Sequence, residues 1–137
     1  MREDLQRRCD TIEEGYEFML AYAAQGLPGD AGSQSGGQLR EFLTRMATAL
    51  TGIGDAFGAL IDGESLEPAD RYRAYGAVFD RDARDSLAAV ELVLAQPSIS
   101  SQLVDNLNAS IHLRALLTDL FLIDELLKSQ PAPTGAP

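Results

Sequence analysis

A chain of 137 residues, 45% hydrophobic and 23% charged, is long enough to bury a core without disulfides or a structural metal, and its composition excludes a disordered chain. Its 21 acidic residues against 11 basic ones give a formal net charge of -10, a field that repels phosphate backbones and anionic headgroups, so neither nucleic acid nor a membrane surface is expected as a partner. Cys9 is the only cysteine, which excludes an intrachain disulfide; with a start, Met1-Arg2-Glu3-Asp4, that lacks a signal-type apolar core, it gives the expectation of a cytoplasmic protein.

Four helix-period segments follow one another. The first runs from about Arg2 to Gly26, where Leu5, Cys9, Ile12, Tyr16, Met19, Leu20 and Ala23 recur at spacings of three and four, as one apolar stripe requires. The stretch from Gly26 to Gln38 carries Gly26, Gly29, Gly32, Gly36 and Gly37 with Pro28 and reads as a glycine-rich loop between the first and second helices. A second helix is expected from about Gln38 to Ile61, on a seam from Leu39 through Leu43, Met46, Leu50 and Ile53 to Phe57 and Leu60. Gly52, Gly54 and Gly58 interrupt it, and each interior glycine costs about 1 kcal/mol against alanine, so they call for a packing reason or mark an irregularity.

Pro68, with Glu67 and Asp70, signals the start of a third helix that should continue to about Gln96, its buried edge running from Tyr72, Tyr75 and Phe79 to Val90 and Leu94. The charges from Asp80 to Asp85 are read as a solvated, locally paired face. Pro97 ends this helix, and Ser98, Ser100 and Ser101 offer N-caps for a fourth, expected from about Ser100 to Lys128. Between Leu113 and Leu127 that helix is apolar around most of its circumference. It is still broken by Arg114, Asp119, Asp124 and Glu125, so it is not expected to span a membrane.

The expected fold is therefore all-α: a mostly antiparallel four-helix bundle in one domain, residues 1–128. Residues 129–137, with Pro131, Pro133 and Pro137, are expected to form a disordered tail.

Few residues in this sequence carry recognisable chemistry. His112 is the only histidine, so no Glu-x-x-His pair for a di-iron centre and no zinc ligand set can be assembled. Asp105, Asn108, His112 and Asp119 share one side of a continuous last helix, where a carboxylate would favour the imidazolium; the simpler reading is a solvated polar stripe. Glu13, Glu14 and Glu17 read as a hydrated face, and Cys9, on the apolar stripe, as a small buried hydrophobe. Phosphate-loop, dinucleotide and nucleophile-elbow motifs are absent from the sequence. No catalytic, cofactor-binding or metal-ligating residues are assigned, and no cofactor is expected.

Surplus apolar surface without catalytic residues points to a non-enzymatic accessory or adaptor module that forms a homodimer and binds a protein partner. The expected interface lies on the last helix at Leu113, Leu116, Leu117, Leu120, Phe121, Ile123 and Leu127. The alternative is a small helical enzyme or ligand-binding bundle acting on an anionic metabolite, with a pocket formed by Arg71, Tyr72, Tyr75, His112 and Arg114, where an arginine would grip a carboxylate or phosphate.

Overall fold

The computed structural model describes residues 1–130, and among them the chain is all-helical. Six helices replace the expected four: α1 (Arg2–Ala23), α2 (Gln34–Leu50), α3 (Ile53–Gly63), α4 (Ala69–Leu94), α5 (Ser101–Ala109) and α6 (Ile111–Lys128). Two of the expected helices are each broken once, and both breaks have local causes.

The second expected helix stops at Leu50 because Thr51 is extended (φ -66°, ψ 114°) and Gly52 is left-handed (φ 77°). Arg8 stabilises this stop from α1, donating to the carbonyls of Ala49 (3.0 Å) and Thr51 (2.7 Å). A guanidinium thus satisfies carbonyls that the end of a helix leaves without intrahelical partners. Because a side chain at φ 77° is strained, Gly52→Ala is expected to lower stability by about 1 kcal/mol, measured by urea unfolding. The last expected helix breaks at Ser110 (φ -63°, ψ 146°), whose hydroxyl accepts from the Leu113 amide at 3.3 Å and so caps α6. Serine's ability to replace a helical partner with its own side chain is the physical reason.

The glycine-rich connection is shorter than the sequence suggests. Helix α2 begins at Gln34, capped by Ser33, and includes Gly36 and Gly37. Gly36 is required there, since a Cβ on it would collide with the Asp30 carbonyl oxygen. The loop itself is fastened by side chains. Asp30 accepts from Arg40 Nε (2.5 Å) and from the Ile99 amide (2.6 Å), while Arg40 also donates to the carbonyls of Leu94 (3.1 Å) and Gln96 (2.9 Å). Nearby, Ser101 binds the backbone of Tyr22 and Leu27, and the buried Tyr22 hydroxyl donates to the Ile99 carbonyl at 2.7 Å. The connection before α2 and the one before α5 are thereby held as one unit.

Neighbouring helices run antiparallel in three pairs. Phe18 of α1 stacks on Phe42 of α2, with ring centroids 4.5 Å apart, while Arg8 reaches the far end of α2. Phe57 of α3 meets Phe79 of α4 edge-on, and Asp62 pairs with Arg73. Along α4 and α6, Tyr75 meets Asp119 and Ser86 meets the His112 carbonyl. One core runs through all six helices, with Ile12, Met19, Leu43, Met46, Phe57, Phe79, Val104 and Leu116 at its centre. No described helix is long and apolar enough to cross a membrane.

The chain stays ordered past Lys128. Gln130 donates to the Tyr72 hydroxyl and to the Glu67 carbonyl, and Arg2 donates to the carbonyls of Leu127 and Gln130. Residues 129 and 130 are thus anchored, and the rest of the expected tail, 131–137, lies outside the described residues.

Candidate functional site

Helices α4 and α6 bring together the chemistry that the chain offers. Tyr75, near the start of α4, donates its hydroxyl to Asp119 Oδ1 at 2.5 Å. Asp119 lies on the inner face of α6 and is only 5% exposed; its Oδ2 has no hydrogen-bond donor among the described residues. From α4 the carboxyl of Asp82, about two turns beyond Tyr75, faces it. A second carboxyl facing a buried one disfavours its charged form. Burial first, and then Asp82, push the Asp119 carboxyl up to about 7, against the opposing pull of the Tyr75 hydroxyl. Burial and the hydrogen bond to Asp119 raise Tyr75 in turn. The Tyr75–Asp119 hydrogen bond thus links α4 to α6 through a carboxyl that burial keeps protonated on the acid side of neutrality.

The same tyrosine lines an open groove. Pro68, Arg71, Tyr72, Tyr75, Leu126 and Gln130 enclose about 310 Å³ between the start of α4 and the end of α6, at the lower end of the usual size for small-molecule sites. Arg71, Tyr72 and Tyr75, three of the five residues expected to form a pocket, do converge here. His112 and Arg114 do not. His112 is exposed near the start of α6, and Arg114 lines a separate surface depression with Ala109, Ile111, Ala115 and Thr118. The groove's arginine is Arg71, which has no carboxylate within ion-pairing distance among the described residues.

The expected polar stripe on the last helix is cut by the Ser110 break. Asp105 and His112 are exposed, whereas Asn108 and Asp119 are buried. Asn108 keeps neither amide atom hydrogen-bonded among the described residues. Asp82, read as part of a solvated charge run, instead turns toward α6.

Five of the residues expected at an interface, Leu113, Leu116, Leu117, Leu120 and Ile123, are buried in the chain's own core, and Leu127 packs partly against it. This corrects the expected surface, since those side chains cannot reach a partner without unfolding α6. Exposed apolar area on α6 remains at Ile111 (75%), Phe121 (63%) and Leu122 (45%), with Val78 exposed on α4.

Cys9 borders a cleft of about 90 Å³ between α1 and α6, with Glu13 and Asp124. Burial, then Glu13, Asp10 and Asp124, push its thiol up to about 12, so it stays protonated at neutral pH and is no nucleophile. No group of three or more metal-ligating side chains occurs among the described residues. Comparison with protein-family models, with curated proteins and with solved structures finds no match to this chain.

Proposed function

We propose that this protein is a non-enzymatic helical accessory module that associates with a second copy of itself and with a protein partner, through the outer face of α6. The observation that carries this reading is the apolar surface left outside the core at Ile111, Phe121 and Leu122. Charge placement supports self-association. Arg114 lies toward the start of α6 and Glu125 toward its end, so an antiparallel apposition of two α6 helices would set opposite charges against each other. A two-fold contact needs such a self-complementary patch.

Sedimentation equilibrium at micromolar concentration tests the proposal. A dimer mass is expected, and Phe121→Asp or Leu122→Asp should weaken association about tenfold or more while leaving the helical circular dichroism unchanged. A wild-type chain that stays monomeric throughout that range removes the self-association. Leu120→Asp is unsuitable, because Leu120 is buried and its replacement would unfold the bundle.

A second reading, a bundle that binds an anionic metabolite, is favoured by one specific observation: Arg71, Tyr72 and Tyr75 line a single groove.

A further inference from the structure

We infer that the groove between the start of α4 and the end of α6 is a binding site for a small amphipathic monocarboxylate, whose apolar body lies on Tyr72, Tyr75 and Leu126 and whose carboxylate is held by Arg71. The inference rests on the second reading above and gives it a ligand class. Its walls are built before any ligand arrives. The Tyr72 hydroxyl is held by the Gln130 amide and the Tyr75 hydroxyl by Asp119, so both polar tips are already engaged and the rings are fixed as flat apolar surfaces. Pro68 and Leu126 extend those surfaces, and a site preorganised in this way spends little binding energy on ordering side chains.

Charge selects the other end of the ligand. Arg71 is an exposed guanidinium on the groove wall with no acidic partner among the described residues, although acidic residues far outnumber basic ones in this chain. A carboxylate matches its paired donors. A dianion would meet the same single guanidinium within the field of a chain of net charge -10, which favours a single negative charge. A cation would be repelled by Arg71.

Phenylacetate, its uncharged amide phenylacetamide, and phenyl phosphate share one aromatic body and test the three parts of the inference on the full chain by NMR titration. Phenylacetate is expected to shift the Tyr72, Tyr75 and Leu126 signals saturably, and phenylacetamide to bind about tenfold more weakly. Arg71→Gln, a change at an exposed position, should bring the acid down to the affinity of the amide with the dispersion of the spectrum preserved. Equal affinity of acid and amide for the wild-type chain, or an acid affinity unchanged by Arg71→Gln, overturns the inference. Groove shifts with phenyl phosphate but none with phenylacetate overturn the carboxylate assignment and leave the ligand-binding reading standing. Absence of saturable groove shifts with all three compounds overturns both.

Discussion

Asp30→Ala is expected to reduce the unfolding free energy by about 3 kcal/mol at neutral pH, because it leaves the Arg40 guanidinium without its counter-charge and the Ile99 amide without its acceptor. The Asp30 side chain is about nine-tenths buried and Arg40 about two-thirds, so this pair is far less screened than the surface pairs Arg7–Asp4 or Arg45–Glu41. Arg40 also secures the carbonyls at the end of α4, so Arg40→Ala should cost a similar amount, and the double variant less than the two added together. The hydrogen bond from Arg40 holds the Asp30 carboxyl below its usual 3.8, with burial acting against it. Its stabilising effect is therefore complete above that value and is lost as the pH falls through the depressed one. Urea unfolding checks the magnitude, and a loss below about 1 kcal/mol would show that the clasp does not fasten the loop.

Asp119 carries the opposite sign. Its carboxyl rises from 3.8 to about 7 on folding, so the folded chain holds a proton that the unfolded chain releases. The Asp119 contribution to stability is full below about pH 4 and declines as the pH rises toward 7, by up to about 1.4 kcal/mol per pH unit. Above 7 the Asp119 carboxyl is charged in its buried place, and the whole penalty persists. Asp119→Asn keeps the acceptor for Tyr75 and supplies a permanent N–H toward Asp82. At pH 8 this variant should be more stable than the wild type by about 1–3 kcal/mol, with the acid-to-neutral decline removed. Tyr75→Phe should move the decline to higher pH, since the tyrosine hydroxyl is the group that favours the charged carboxylate. Urea midpoints at pH 5 and pH 8 decide the matter: a wild-type midpoint that rises between them contradicts the raised Asp119 carboxyl. A buried residue whose removal stabilises the fold is a common mark of a site kept for function.

Helices α1 and α4 were legible in the sequence because their apolar stripes run unbroken between clear boundaries. The breaks at Gly52 and Ser110 were harder to read, since each occupies only a residue or two and the apolar seam resumes beyond it, from Leu50 to Ile53 and from Leu107 to Leu113. Gly52 did carry a signal in its helix-breaking residue type; Ser110 carried only a serine inside an apolar run. Arg71, Tyr72 and Tyr75 could be grouped because they lie within about one helical turn. Asp82 and Asp119 meet only through the tertiary packing of α4 on α6, which spacing along one helix cannot reveal. Yet Asp119 sits among Leu116, Leu120 and Ile123, and a carboxylate at that register is a sign of burial available from sequence alone. The leucines of α6 were misplaced for a related reason: a nearly all-round apolar helix reads the same whether its neighbours come from its own chain or from another.

Arg2 gathers Glu64, Leu127 and Gln130 around one guanidinium, which puts residue 2 and residue 130 at the same corner of the molecule. A tension applied across those two points would enter at that corner and peel α1 away one contact after another, instead of shearing all the helices at once. The same adjacency makes the pair suitable for covalent joining by a short linker, with new ends opened elsewhere in the chain and the core left in place.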